Sequence, residues 1–184
     1  MANFDLSFEK VCKLEYSSPR NALHKNPSEN GLTYMGIYEG ANPNWGGWDK
    51  IKKVLKEYEV VQLASERLYA DKELTDQVKD YYKANYWDKF KGDRILPFDI
   101  ANLIFIFGVN AGMKVAIKKA QRIVGVEADG IVGAKTISAL NSFSPLKFIE
   151  FYKKAQVEYY TSLATAKPHL RQYLNGWLRR VEKS

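Results

Sequence analysis

The chain has 184 residues, of which 46% are hydrophobic and 14% aromatic; that is enough apolar material for a packed core and excludes a disordered chain. A formal net charge of +7 points to an anionic partner (nucleic acid, a membrane surface or a cell-wall polymer) or simply to a soluble surface. The single cysteine, Cys12, excludes an intrachain disulfide, and His24 and His169 without a second cysteine argue against a zinc site.

Phe4, Phe8, Val11 and Cys12 recur at helical spacing, with Asn3 or Asp5 available as a cap, so a first helix is expected. Cys12 lies on its apolar face and reads as a core residue, not a nucleophile. The start, "MANFDLSFEK", lacks a basic segment followed by an apolar run, so no ordinary secretory signal is expected and synthesis is assigned to the cytoplasm. Residues 16–47 lose periodicity and are rich in Ser, Asn, Pro and Gly. A loop that long usually has a function, and at most one short hairpin is expected within residues 20–47.

"NPNWGGWDK" leads into a helix with Ile51, Val54, Leu55 and Tyr58 on one face and Lys50, Lys52, Lys53 and Lys56 on the other. "LTDQVKDYYKANYWDKFKGD" predicts a second strong helix, capped by Thr75 and ended by Gly92. A third follows Pro97 through "DIANLIFIF"; Asp99 and Asn102 within this apolar stretch favour a buried helix over a membrane span. A fourth is closed by Gly125, and a short one covers "AKTISALN". Ser144 and Pro145 open a long amphipathic helix, and Pro168 separates it from the last, "HLRQYLNGWLRRVEK". The expected class is mainly α.

The chain contains no phosphate loop, no HExxH and no GxSxG. Glu15 stands where the first helix gives way to Ser17, Ser18 and Pro19. The negative end of the helix dipole and the apolar neighbours Leu14 and Tyr16 would both favour its protonated form, which suits a general acid. A solvated helix end is the plain alternative. Thr33 in "GLTYMGI" can place a hydroxyl beside a tight turn, or simply enter a strand. Asn110 in "VNAG" can meet a substrate or cap the next helix. Gly130 and Gly133 in "DGIVGAKT" read as a structural turn.

In order along the chain come the Glu-ended helix, T-x-x-G-I, "YYKANYWDKF", "FGVNAGMKVAIKKAQRIVG", "VEADGIVGAKTISALN" and "YLNGWLRRV". This series resembles glycoside hydrolase family 108, endolysin-like muramidases with a C-terminal predicted peptidoglycan-binding region. The resemblance spans nearly the whole chain. It implies a lysozyme-like helical fold, with residues 1–112 as the catalytic region and 113–184 as the wall-binding region packed on it. The family's catalytic glutamate, in E-G-G-Y at the end of the first helix, falls on Glu15, which is followed here by Tyr16, Ser17 and Ser18. An aspartate common in the family four residues before the Asn of "VNAG" is Ile106 here.

The resemblance implies cleavage of the β-1,4 bond between N-acetylmuramic acid and N-acetylglucosamine, with Glu15 as general acid and no cofactor or metal. The second group stays open: Glu29, Glu39, or a water positioned by Thr33. Thr33 and Asn110 are expected to bind substrate. Tyr34, Trp45, Trp48, Tyr86 and Trp87 are candidates to stack on sugar, most of them being core. The expected partner is peptidoglycan, with no nucleic acid and no stable membrane insertion, for a monomer acting in the periplasm or at the wall after release. A lytic transglycosylase, a non-catalytic wall-binding or scaffolding protein and a nucleic-acid binder are the rival readings.

Overall fold

The computed structural model describes residues 2–16, 18–26 and 30–184. The fold is mainly α, with one small antiparallel sheet. Two compact units emerge, Phe8–Lys83 and a second made of Met1–Ser7 with Ala84–Ser184. Helix α1 (Phe4–Glu15) opens on Asn3, whose Oδ1 accepts the Leu6 N–H at 3.1 Å, so Asn3 is the cap.

In the Phe8–Lys83 unit, the loop after α1 builds three strands of two residues each: β1 (Leu23–His24), β2 (Thr33–Tyr34) and β3 (Ile37–Tyr38). They pair antiparallel in the order β1-β2-β3, where one hairpin was expected. The register opposes Leu23 to Tyr34 and Tyr34 to Ile37, so these three side chains share one face, and all are buried. His24, Thr33 and Tyr38 share the other. Helices α2 (Gly47–Leu55), α3 (Val61–Tyr69) and α4 (Lys72–Tyr82) complete the unit.

Helix α3 was not foreseen from the sequence. It buries Ala64, Ser65 and Leu68, and Ser65 is completely enclosed. The Ser65 hydroxyl accepts the Leu23 N–H at 2.9 Å and donates to the Pro19 carbonyl at 2.5 Å, fastening β1 to α3. Helix α4 starts earlier than Thr75 implied. Its cap is Asp71, whose carboxylate accepts the Leu74 N–H at 3.0 Å, while Thr75 lies inside the first turn and donates to the Asp71 carbonyl. Asp71 serves because it stands just ahead of the first turn, where its charged carboxylate meets the N–H groups that a helix N-terminus leaves over.

In the other unit, a π turn (Lys83–Trp87) and a 3-10 turn (Asp88–Phe90) stand where a continuous helix was predicted. Lys91 then adopts φ 56°, and α5 (Phe98–Ala111) follows. Every residue from Ile100 to Gly108 is buried, as a helix apolar all round requires. Helices α6 (Met113–Ile123), α7 (Ala134–Ser142), α8 (Pro145–Ala166) and α9 (Leu174–Lys183) complete this unit, in which α5 packs on α6 and α8. The Phe107 ring meets those of Tyr152 and Tyr160 edge-on at 5.8 and 5.7 Å. Ser144 and Pro145 start α8 as expected. No helix of the described residues is long and apolar enough to cross a membrane.

Candidate active site

Glu15 is the last residue of α1, and its side chain is half-buried. Beside it lies the turn between β2 and β3. Met35 and Gly36 form a two-residue hairpin loop with φ values of 47° and 84°. Positive φ at both central residues is the pattern whose twist matches paired strands. Glycine takes it freely, whereas Met35 is strained there.

Three contacts hold the turn. The Met35 N–H donates to the Ala22 carbonyl at 2.7 Å. The buried Tyr82 hydroxyl donates to the Met35 carbonyl at 2.9 Å. The Tyr82 ring meets Phe8 of α1 edge-on at 5.5 Å. A Cβ on Gly36 would sit 2.3 Å from the Tyr82 hydroxyl and 3.3 Å from both Cγ and Oε2 of Glu15. The turn therefore passes close to the carboxylate, and the Tyr82 hydroxyl leaves no room for a side chain at Gly36.

The two carboxylates considered as partners differ. Glu29 lies outside the described residues. Glu39, at the end of the hairpin, bonds the Lys52 ammonium at 2.8 Å and accepts the Leu32 N–H at 3.2 Å. Those two bonds, that to Lys52 foremost, hold its carboxyl below the usual carboxylate range. Glu39 is thus ionised and tied into the hairpin. Thr33 is buried in β2, on the sheet face that also carries His24 and Tyr38. His24 Nδ1 donates to the Asn21 carbonyl at 3.1 Å. Burial pushes the Cys12 thiol up to about 11, so it stays protonated at neutral pH. Among the described residues no group of three His, Cys, Asp or Glu side chains could hold a metal ion.

The aromatic candidates separate by exposure. Tyr34 and Trp48 are enclosed, and Trp45 is half-buried, stacked on Tyr34 with ring centroids 6.3 Å apart. In the other unit Trp87 is fully buried against Phe4, Phe90 and Phe105, and its Nε1–H donates to Asp93 at 2.7 Å. Tyr34 and Trp87 present no ring face to solvent, so a stacking platform is not found at either position; both fill cores. Tyr86, half-buried, does line a groove. Asn110 is exposed at the end of α5, and its Oδ1 accepts the hydroxyl of the buried Tyr160 at 2.6 Å. It does not cap α6, whose N-cap is Gly112. The place of Tyr82 beside Gly36 was not foreseen from the sequence.

The Glycosyl hydrolase 108 family model matches residues 22–112, and the Predicted Peptidoglycan domain matches residues 115–182. The solved structure of Brucella abortus SagA is similar in fold, with a TM-score of 0.68 and 24% identity over 98% of this chain and 90% of that one. No curated protein matches the chain. A mainly helical glycoside hydrolase of peptidoglycan is the class these observations define. Residues 22–112 carry the glycosyl hydrolase 108 domain, followed by the predicted peptidoglycan domain.

Proposed function

We propose that this enzyme is an N-acetylmuramidase in which Glu15 is the general acid for the β-1,4 bond between N-acetylmuramic acid and N-acetylglucosamine. One observation carries the reading: the Glu15 carboxylate lies against the Met35–Gly36 turn, closely enough that a Gly36 Cβ would be 3.3 Å from Oε2. A rigid turn pressed on a half-buried carboxylate fixes the direction in which it can offer a proton. The match to the hydrolase family begins at Ala22, beyond Glu15, so the role of the acid rests on this geometry and on the sequence resemblance.

In this mechanism neutral Glu15 protonates the bridging oxygen as the glycosidic bond breaks. Positive charge develops on the muramyl C1 and ring oxygen. A water attacks C1, and its proton returns to the Glu15 carboxylate. The Thr33 hydroxyl, on the sheet face shared with His24 and Tyr38, orients that water. Glu39, held ionised by Lys52, supplies negative charge at the end of the hairpin. Tyr86 and Asn110 contribute to substrate binding from their own unit. The enzyme acts as a monomer at the wall, released to it in the manner of an endolysin by a separate membrane-permeabilising partner.

The test is digestion of purified peptidoglycan by the wild type and Glu15→Gln, with mass spectrometry of the new ends. Reducing muramic acid, carrying one added water, is expected from the wild type. Glu15→Gln should lose about 10²–10⁴-fold in rate with an unchanged melting temperature. Anhydro-muramic ends would instead identify a transglycosylase, in which the muramyl 6-hydroxyl replaces water. Wild-type turnover by Glu15→Gln would remove Glu15 from the mechanism.

A further inference from the structure

The groove that Tyr86 lines lies wholly within the unit containing Ala84–Ser184. Its volume is about 520 Å³, within the range of small-ligand sites, and it is lined by Tyr86, Lys89, Met113, Lys114, Ile117 and Ile131, among others. The loop carrying Ile131 is unusually fixed for a segment at the surface. Gln121 is buried beneath it, and its side-chain amide donates to Asp129 Oδ1 at 2.8 Å and to the Ile131 carbonyl at 3.0 Å. The Gln121 Oε1 accepts the Gly130 N–H at 2.9 Å. Asp129 Oδ1 also accepts the Ile131 N–H at 2.8 Å, so that oxygen is committed to the loop.

This clamp holds Ile131 outward, with 70% of its surface exposed. From there Ile131 joins Met113 and Ile117 in the apolar lining of the groove. The loop also organises cations. Gly130 has φ 85°, and a Cβ there would lie 3.0 Å from Lys114 Cγ and 3.4 Å from Lys118 Cε. The stems of these two lysines, one turn apart on α6, therefore run against the glycine. Lys89 adds a third from the 3-10 turn. An apolar floor under a cationic rim suits a ligand that alternates small alkyl groups with carboxylates.

We propose that this groove takes the peptide stem of peptidoglycan, seating its alanyl methyl groups on Met113, Ile117 and Ile131 and its free carboxylates on Lys89 and Lys114. The proposal rests on the reading of this chain as a wall enzyme and gives it a recognition site distinct from the acid at Glu15. A neutral glycan strand would make little use of two ammonium groups, and Asp129, the one acidic side chain among the lining residues, has its Oδ1 committed to its own loop.

The experiment titrates the full chain with N-acetyl-L-alanyl-γ-D-glutamyl-diaminopimelyl-D-alanine, followed by calorimetry and by amide chemical shifts. Saturable binding is expected, with shifts at Ile131 and Lys114, weakening as salt rises. Ile131→Asn should weaken it about tenfold, through lost apolar cover, and Lys114→Gln up to about fivefold. Each variant is checked for an unchanged melting temperature. No saturable binding, equal binding of the carboxyl-amidated peptide, or full affinity in both variants would overturn the proposal. Chitotetraose moving the same amides would overturn it in favour of a saccharide subsite. Because free peptide is the probe, the outcome is independent of hydrolysis: loss of turnover in Glu15→Gln without peptide binding removes only the groove, and the converse removes only the acid.

Discussion

Replacing Gly36 by alanine tests whether the turn beside Glu15 is as constrained as its geometry implies. Two costs are expected. Alanine at a φ of 84° is strained by about 1–2 kcal/mol. Its Cβ would also stand 2.3 Å from the Tyr82 hydroxyl, so that buried group must move and its bond to the Met35 carbonyl weakens, adding about 1–1.5 kcal/mol. The sum, about 3 kcal/mol, corresponds to a fall of about 6–12 °C in melting temperature for a chain of this length. Scanning calorimetry measures the fall, and turbidity clearing of cell walls measures activity below it. The refined test is a cycle with Tyr82→Phe. Removing the hydroxyl creates room for the new methyl group, so the double variant should be more stable than the sum of single effects by about 1 kcal/mol. Strict additivity, or a Gly36→Ala melting temperature within about 1 °C of wild type, would show that the turn is not held against Tyr82 as described.

Two further outcomes concern the scaffold of the hairpin. Ser65→Ala leaves the Leu23 N–H without its buried acceptor and should lower stability by about 1–3 kcal/mol, readable in urea denaturation; a change under about 0.5 kcal/mol would mean that β1 is fastened otherwise. Glu39→Gln should be less stable than wild type at neutral pH. The folded carboxyl of Glu39 lies below its ordinary value of 4.5, so its contribution is present above that pH and is lost as pH falls through the folded value. The two melting curves should therefore converge in acid, and a stability gap that persists there would contradict the Lys52 pairing.

The long helices were legible because their apolar residues recur over many turns. Helices were expected through "DIANLIFIF", in the segment closed by Gly125 and from Ser144 and Pro145 onward, and α5 (Phe98–Ala111), α6 (Met113–Ile123) and α8 (Pro145–Ala166) fall there. α3 escaped notice because its buried face consists of Ala64, Ser65 and Leu68, two of which carry little hydrophobic signal. The sheet escaped it for a different reason. Strands of two residues show no alternation, and a shift of one residue exchanges their faces, so sequence alone could not say that Tyr34 faces the core while Thr33 faces away. Glu15 was legible as the end of a helix. The surroundings on which its proposed role rests, the nearby Gly36 and the Tyr82 hydroxyl that holds the turn, come from residues distant in sequence.

The packing of α5 constrains how such enzymes can be recombined. Residues 22–112 match one family model and residues 115–182 another, which suggests two exchangeable cassettes joined near Gly112. The core contradicts that impression. α5 comes from the first segment, yet its buried residues pack on α6 and α8 from the second, and Phe107 is ringed by Tyr152, Tyr159 and Tyr160. A chimera spliced at residue 113 would inherit half of an interlocked aromatic cluster from each parent. An exchange that keeps this unit whole must carry α5 with α6 and α8, together with the segment before Phe8, since Phe4 meets the rings of Trp87 and Phe105.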